Sequence, residues 1–349
     1  MNTATRTRRL QTAVSMIVDR AAQGVSPAWA RAALKCCAAA LVLLTPSLAD
    51  AADRYAVVIT GASGGPSYAE KYNRWRASLV ATLKQRFRYP DDHLFALAEL
   101  EGQGAAKATR DNVRRIFGDL KSRVHSDDLV FVVLIGHGTT ADDGEAKFNL
   151  VGPDLSSIEW AEILKPIPSR VAFVDATGGS FPFMRRLAAP NRVILTATDS
   201  AAQQFETVFP EFFVKAFEDP AADADKNGRV SMWEAFVYAS NGVRMWFDRQ
   251  GQLATERPLL DDNGDGVGRE AQNPGLDGAL ARAVFLAPEA PESANASDAP
   301  LLSRRAELER QLDDLRLRKA SSADPERYDA DIEKILLEIA QISSRLRQP

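Results

Sequence analysis

The sequence predicts an α/β protein with a mostly parallel sheet flanked by helices, and three observations support this fold class. First, residues 129–138 form an unbroken apolar run that ends in a histidine between two glycines, which is typical of a buried central strand. Second, strand-like and helix-like segments alternate over residues 55–198. Third, the central run ends at His137 and a second apolar run at 171–174 ends in the small-residue turn 175–180, so these two strand ends are expected to face one crevice.

The elements follow from the spacing of their apolar residues. Short runs rich in Val, Ile and Leu predict strands, and apolar residues three and four apart predict helices. Besides the central run, the predicted strands are Tyr55–Thr60, His93–Leu97, Val171–Val174 and Arg192–Thr196. The predicted helices are Tyr68–Phe87, Thr109–Val124, Ile158–Leu164, Met184–Leu187, Phe209–Glu218 and Trp233–Phe247.

The first 51 residues have the pattern of a secretory signal peptide. Basic residues precede the apolar stretch 36–44, and the small-residue pattern Ala49-Asp50-Ala51 predicts cleavage after Ala51. The alternative is an uncleaved membrane anchor at 36–44, although this stretch is shorter than the ~20 residues of a spanning helix. The protein is therefore expected to be exported, in the periplasm or outside the cell.

Composition narrows the chemistry of the exported chain. Both cysteines, Cys36 and Cys37, lie in the signal, so neither a disulfide nor a reactive thiol is expected after cleavage. The formal net charge is −4, and it becomes −8 without the signal, which holds six Lys or Arg and two Asp or Glu. An acidic exported protein is a poor candidate for binding nucleic acid.

Residues 223–234 match a twelve-residue EF-hand calcium loop. Such a loop places oxygen ligands at alternate positions, a glycine at the sixth and a bidentate carboxylate at the twelfth. The predicted ligands are Asp223, Asp225, Asn227, the Arg229 carbonyl, Ser231 through water, and Glu234. The alternative is a solvated acidic turn.

A second acidic loop at 261–266 repeats the first half of this pattern through Asp261, Asn263 and Asp265. Its twelfth position is Gln272, so the closing carboxylate is absent unless Glu270 reaches in. A weaker or incomplete Ca²⁺ site is predicted.

The predicted organisation has five parts. A signal at 1–51 precedes an α/β domain at 52–218 and a calcium-loop region at 219–286. A linker rich in Ala, Pro, Glu and Ser spans 287–300, and heptad-like leucines and isoleucines in 301–349 predict a helical hairpin or short coiled coil. These helices either pack on their own domain or mediate self-association.

The motifs resemble those of the caspase and legumain group of cysteine peptidases. The hydrophobic strand that ends in Gly136-His137-Gly138, and the next strand that ends in Asp175-Ala176, carry the resemblance over about residues 54–218. It implies a caspase-like fold with His137 as general base and a cysteine in the turn after the second strand. A secreted bacterial branch with a C13-type peptidase fold and an Asp-Asn-Gly-Asp-Gly loop is similar over a longer span.

The chain departs from that group at the nucleophile. Depending on the alignment, Thr177 or Gly178 takes the place of the cysteine. A hydroxyl needs a well-aligned base and orienter, so the candidate catalytic set is His137 with Thr177 or Ser180, oriented by Asp175. Histidine spacing gives no support for zinc.

Three functions remain open on the sequence. The first is an exported calcium-binding pseudoenzyme that acts as a binding or scaffold module for an unknown protein or peptide, with 301–349 as contact element. The second is an active hydrolase or peptidase that uses His137 with Thr177 or Ser180. The third is a calcium-regulated envelope protein whose α/β domain is only a platform.

Overall fold

The computed structural model describes residues 52–141 and 144–288, individual helical residues between 300 and 315, and residues 325–346. The predicted signal peptide, its membrane-anchor alternative and most of the predicted linker lie outside the described residues. Within them, no helix is both long and apolar enough to cross a membrane.

Seven strands form the main sheet. They are β1 Arg54–Thr60, β2 Leu94–Ala98, β3 Ala106–Lys107, β4 Leu129–Ile135, β8 Arg170–Asp175, β9 Arg192–Thr196 and β10 Leu259–Asp261. Their order in the sheet is β10-β9-β8-β4-β1-β2-β3. All neighbours are parallel except β10, which pairs antiparallel to β9 at the edge.

Helices cover both faces of this sheet. They are α1 Pro66–Ala81, α2 Arg110–Arg123, α3 Ser157–Leu164, α4 Phe181–Leu187, α5 Phe209–Ala216, α6 Met232–Arg249 and α7 Ala279–Ala283. Helix α1 continues through a π-helical turn at Thr82–Arg86, so the predicted helix 68–87 is regular only over its first four turns. The predicted fold class, a mostly parallel sheet flanked by helices, is confirmed.

The core is built around β4, all seven residues of which are buried. Alternate residues of β4 pack into the hydrophobic clusters on the two faces of the sheet. One cluster contains Phe131, Val133 and Ile135. The other contains Val130, Val132 and Leu134. Because successive strand residues point to opposite faces, an apolar residue is required at every position of this strand.

Short elements were missed by the sequence reasoning. A three-stranded antiparallel sheet follows His137 and consists of β5 Gly138–Thr140, β6 Ala146–Phe148 and β7 Leu155–Ser156. Strands of two or three residues are too short to show a hydrophobic period. The antiparallel strand β10 was missed for the same reason.

The glycines on either side of His137 have different roles. Gly136 has a φ of 150°, which favours glycine and lets the chain leave β4 sharply. Gly138 instead permits close contact, since a Cβ there would lie 2.3 Å from the Gly178 carbonyl oxygen and 2.6 Å from Thr177 Oγ1. Only Gly136 therefore serves to turn the backbone.

The C-terminal helix begins at Pro325 and ends at Leu346. Arg304 forms an ion pair with Glu338 at 2.8 Å, so the helical residues near 304 lie against this helix. Leu301 shares a groove with Ile342, whereas Leu315 shares one with Asp331, so the two segments run antiparallel. This arrangement agrees with the predicted helical hairpin.

The close contact at Gly138 generates a prediction about stability. Gly138→Ala should destabilise the protein by about 1–3 kcal/mol, because its methyl group overlaps the turn after β8. Gly118→Ala is the matched control: Gly118 lies in α2 with open space around it, so alanine there should stabilise the fold by about 0.5–1 kcal/mol. Urea unfolding measures both changes, and equal effects of the two variants would contradict the contact.

Candidate functional site

The carboxyl ends of β1, β4 and β8 lie side by side at one edge of the sheet. The Gly61 N–H, just after β1, donates to Ile135 O at 3.0 Å, and the Ala176 N–H, just after β8, donates to Leu134 O at 3.0 Å. The polar residues that follow each of these strands are therefore neighbours, as expected at the carboxyl edge of an open parallel sheet.

His137 lies half-buried at this edge. Its Nε2 is 2.9 Å from the Ser63 carbonyl oxygen and 3.2 Å from the Tyr72 hydroxyl, and the Tyr68 ring meets the imidazole edge-on at 4.8 Å. A carbonyl oxygen can only accept a hydrogen bond, so in the neutral ring Nε2 carries the hydrogen and Nδ1 carries the lone pair.

Asp175 and Thr177 form a buried pair at the end of β8. The Thr177 hydroxyl and backbone N–H both donate to Asp175 Oδ1, at 2.7 and 3.1 Å. Asp175 Oδ2 is buried without a hydrogen-bond partner, and burial raises the pKa of this carboxyl to about 7. Thr177 is 1% exposed, so its hydroxyl serves Asp175 and not a ligand.

Ser180 is equally committed to the fold. Its Oγ accepts the Ala197 and Thr198 N–H groups at 3.1 and 3.2 Å and lies 3.0 Å from Thr198 Oγ1. Its side chain is fully buried. These bonds tie the turn after β8 to the end of β9, which is a structural role.

The segment 199–208 covers the turn after β8. Thr207 Oγ1 donates to Ala176 O at 2.6 Å, and Gly179 N–H donates to Gln203 O. A Cβ at Gly178 would lie 2.3 Å from the Phe205 carbonyl oxygen. The covering backbone thus occupies the space that a side chain at Gly178 would need.

The structure therefore does not join the predicted catalytic residues into a hydrogen-bonded set. His137 lies near the turn, as predicted, because Gly138 contacts both Thr177 and Gly178. Within the described chain, its ring forms no hydrogen bond to the Thr177 or Ser180 hydroxyl. Both hydroxyls are buried and bonded elsewhere.

The first acidic loop lies between a short 3₁₀ turn, Pro220–Ala222, and helix α6. Asp223 Oδ1 and Oδ2 accept the N–H groups of Asn227 and Gly228 at 3.0 and 2.9 Å. Gly228 has a φ of 87°, which makes glycine the favoured residue at the bend. These bonds fold the loop back on its first carboxylate.

Glu234 closes this loop. Its Oε1 accepts the N–H groups of Ala224 and Asp225 at 2.9 and 3.3 Å. Its Oε2 accepts from the Ser231 N–H and hydroxyl, and Ser231 in turn caps α6 in a reciprocal capping box. The helix cap therefore holds the Glu234 carboxylate beside the first residues of the loop.

The resulting cluster could hold a metal ion. Carboxylate oxygens of Asp223, Asp225 and Glu234 lie within 4.8 Å of one another. Desolvation and the charges of Glu234 and Asp223 raise the pKa of Asp225 to about 6. A cation would relieve this repulsion, and the all-oxygen donor set is that of a hard ion.

The second acidic loop begins where β10 ends. Asp261 Oδ1 and Oδ2 accept the N–H groups of Gly264 and Gly266 at 2.8 and 2.7 Å. Glu270, the residue considered for closing this loop, is exposed and forms no hydrogen bond to it among the described residues. Asp277 bonds to the loop backbone instead, through the N–H groups of Asp262 and Asn263.

Sequence reasoning missed Asp277. It lies sixteen residues after Asp261, outside the twelve-residue spacing of an EF-hand loop. Its side chain is 5% exposed, and desolvation and the charges of Asp262 and Asp261 raise its pKa to about 7. The pair Asp277-Gly278 after a polar segment was the signal available in the sequence.

Comparison with known proteins adds little to this geometry. No family model matches the chain, and no curated protein matches it. Among solved structures, the chain is similar to a structural-genomics target from Geobacter sulfurreducens, at 13% identity and a TM-score of 0.39. The match covers 60% of this chain and 92% of that one, and a similarity this low supports no argument about function.

Burial of Asp175 generates a prediction about pH. A carboxyl whose pKa rises on folding binds its proton more tightly in the folded state, so its contribution to stability is complete below pH 4 and lost as the pH rises through 7. The free energy of unfolding should fall over that range by up to about 4 kcal/mol from this group. Asp175→Asn should remove this part of the fall.

Urea unfolding at several pH values between 4 and 8 measures the difference between the two proteins. Asp248→Asn, on the exposed face of α6, is the control and should retain the wild-type slope. Identical slopes for wild type and Asp175→Asn would contradict the prediction.

Proposed function

We propose that this chain is a calcium-binding protein built on a caspase-like α/β domain that has lost peptidase activity and acts as a binding or scaffold module. The observation that carries the proposal is the approach of three carboxylates, Asp223, Asp225 and Glu234, to within 4.8 Å in a loop of EF-hand spacing.

Calcium fits this loop better than other common ions. Ca²⁺ takes six to eight oxygen ligands in flexible geometry, whereas Mg²⁺ demands a near-ideal octahedron and keeps much of its water. Besides the three carboxylates, Asn227 and the Arg229 carbonyl supply further oxygens at the expected spacing. The third residue of the loop, Asp225, is exposed, so an ion can enter from solvent.

Loss of catalysis is supported by the burial of the residues at the nucleophile position. The fold, a mostly parallel sheet with a histidine at the end of its central strand, is consistent with the caspase-like group. The position of its nucleophile is filled by Thr177 or Gly178, and the first is buried against Asp175 while the second is covered by the backbone of Phe205. A substrate carbonyl has no route to either residue in this arrangement.

Residual hydrolysis is the second candidate function, and one observation favours it. Ser63 O fixes the hydrogen on Nε2 of His137, so Nδ1 is available as a base. Catalysis would require the 199–208 segment to move away from Gly178 and expose Thr177, whose hydroxyl would then lose its bond to Asp175. Ser180 is the alternative nucleophile, at the cost of its bonds to β9.

We also propose that the protein is exported and that its C-terminal helical segments mediate contact with a partner or self-association. The leader pattern of residues 1–51 supports a periplasmic or extracellular location, where free calcium is compatible with a weak loop site. The partner is proposed to be a protein or peptide. The groove between the two C-terminal helical segments, lined by Leu301, Leu337 and Ile342, is the proposed region for contact or self-association.

Calcium binding is tested by calorimetry and thermal unfolding. Chelator-treated wild-type protein should bind calcium and melt at a higher temperature in its presence, because a ligand bound only by the folded state stabilises it. Glu234→Gln with Asp223→Asn should lose the binding at the first loop. Asp248→Asn, which removes one exposed charge from α6, should retain it. A wild-type melting curve that calcium does not shift would count against the proposal.

Loss of activity is tested with a peptide library. Neither wild type nor His137→Ala should cleave any peptide, since the hydroxyls of both candidate nucleophiles, Thr177 and Ser180, are buried. Cleavage by wild type that disappears in both His137→Ala and Thr177→Val would instead support the hydrolase. Cleavage that persists in His137→Ala would exclude His137 from the mechanism.

A further inference from the structure

The two acidic loops share one pattern of backbone hydrogen bonds. In the first loop, Oδ2 of Asp223 accepts the N–H of the sixth residue, Gly228, at 2.9 Å. In the second loop, Oδ2 of Asp261 accepts the N–H of its sixth residue, Gly266, at 2.7 Å. Both sixth residues have positive φ, 87° and 73°, so the bends correspond as well.

The match continues past the bend. In the first loop, Oδ1 of the fifth residue, Asn227, accepts the N–H of Arg229 at 2.8 Å. In the second, Oδ1 of the fifth residue, Asp265, accepts the N–H of Val267 at 2.7 Å. These two bonds therefore correspond in the two loops, whereas Oδ1 of the first aspartate accepts from the fifth residue in the first loop and from the fourth residue in the second.

The correspondence extends to the carboxylate that closes each loop. Oε1 of Glu234 accepts the N–H groups of the second and third residues of the first loop, at 2.9 and 3.3 Å. Oδ1 of Asp277 accepts the N–H groups of the second and third residues of the second loop, at 3.1 and 3.3 Å. Asp277 thus occupies the place in the second loop that Glu234 occupies in the first.

The second oxygen of Asp277 provides an independent observation. Glu234 Oε2 is bonded to Ser231, but Asp277 Oδ2 is buried with no hydrogen-bond partner among the described residues. The Asp277 side chain is 5% exposed, so water does not solvate it freely. A buried carboxylate oxygen without a partner is costly unless a cation or a proton compensates it.

We infer that the second loop is a divalent-cation site closed by Asp277, with Asp261, Asn263, Asp265 and the Val267 carbonyl as its other ligands. The donors are all oxygen, so calcium is the expected ion. Both loops hold three carboxylates, since Asn263 and Asp265 stand where the first loop has Asp225 and Asn227. The carboxylates of Asp261, Asp265 and Asp277 do not all lie within 4.8 Å of one another, as those of the first loop do, so the second site binds more weakly. The inference rests on the proposed function, because the first loop is its geometric reference.

The test is calcium titration of the chelator-treated full chain by calorimetry. Wild type should bind two equivalents, and Asp277→Asn should lose the weaker one while retaining the other. Asparagine keeps the oxygen that accepts both backbone N–H groups, so the fold is expected to survive, and circular dichroism checks this. Glu270→Gln is the matched control, since it removes an exposed charge from the same segment.

A second variant, Asp265→Asn, tests the inference even if Asp277→Asn does not fold. Asp265 is exposed, and its asparagine variant retains the bond to Val267, so Asp265→Asn should fold and weaken the second equivalent by about tenfold or more. Weakening by this variant supports the inference, and an unchanged second equivalent overturns it.

Glu234→Gln separates the two sites. If it leaves one equivalent, which Asp277→Asn removes, the second site stands whatever the fate of the first. If wild type binds a single equivalent that Glu234→Gln abolishes and Asp277→Asn preserves, the inference is wrong and the proposed function survives. Absence of any binding by wild type overturns both.

Discussion

Complete burial of β4 is the constraint on which the other features depend. A strand that is covered on both faces and paired on both edges admits no polar side chain until it ends, so its first polar residue, His137, is delivered at the carboxyl edge. The parallel pairing with β1 and β8 then places Ser63 and the turn at 175–180 beside it. The grouping of these polar residues is thus a consequence of core packing.

The same packing explains why the hydroxyls of Thr177 and Ser180 are not exposed beside His137. The turn after β8 is made of small residues, and it is enclosed by Gly138 on one side and by the 199–208 segment on the other. In this enclosed turn the Thr177 hydroxyl bonds to Asp175, and the Ser180 hydroxyl bonds to the end of β9. Buried polar groups need hydrogen-bond partners, and these two hydroxyls have theirs within the protein.

The acidic loops are connected to each other through α7. Asp262, the second residue of the second loop, caps the start of this helix through the N–H groups of Gly278 and Ala281, at 2.8 and 2.7 Å. Directly after the helix, Val284 O accepts the N–H of Met232 at 2.8 Å, beside the capping residue of the first loop. The five-residue helix α7 thus connects the two loops to each other.

Three features could be predicted from local patterns in the sequence: the parallel core, the histidine at a strand end and the carboxylate spacing of Asp223 to Glu234. Each depends on residues close together in the chain, where period and spacing carry the information. The burial of Thr177, the close contact at Gly138 and the approach of Asp277 to the second loop became evident only in the folded chain. These depend on contacts between distant segments, and a side chain's partner across such a distance is set by packing of the whole sheet, which no local spacing records.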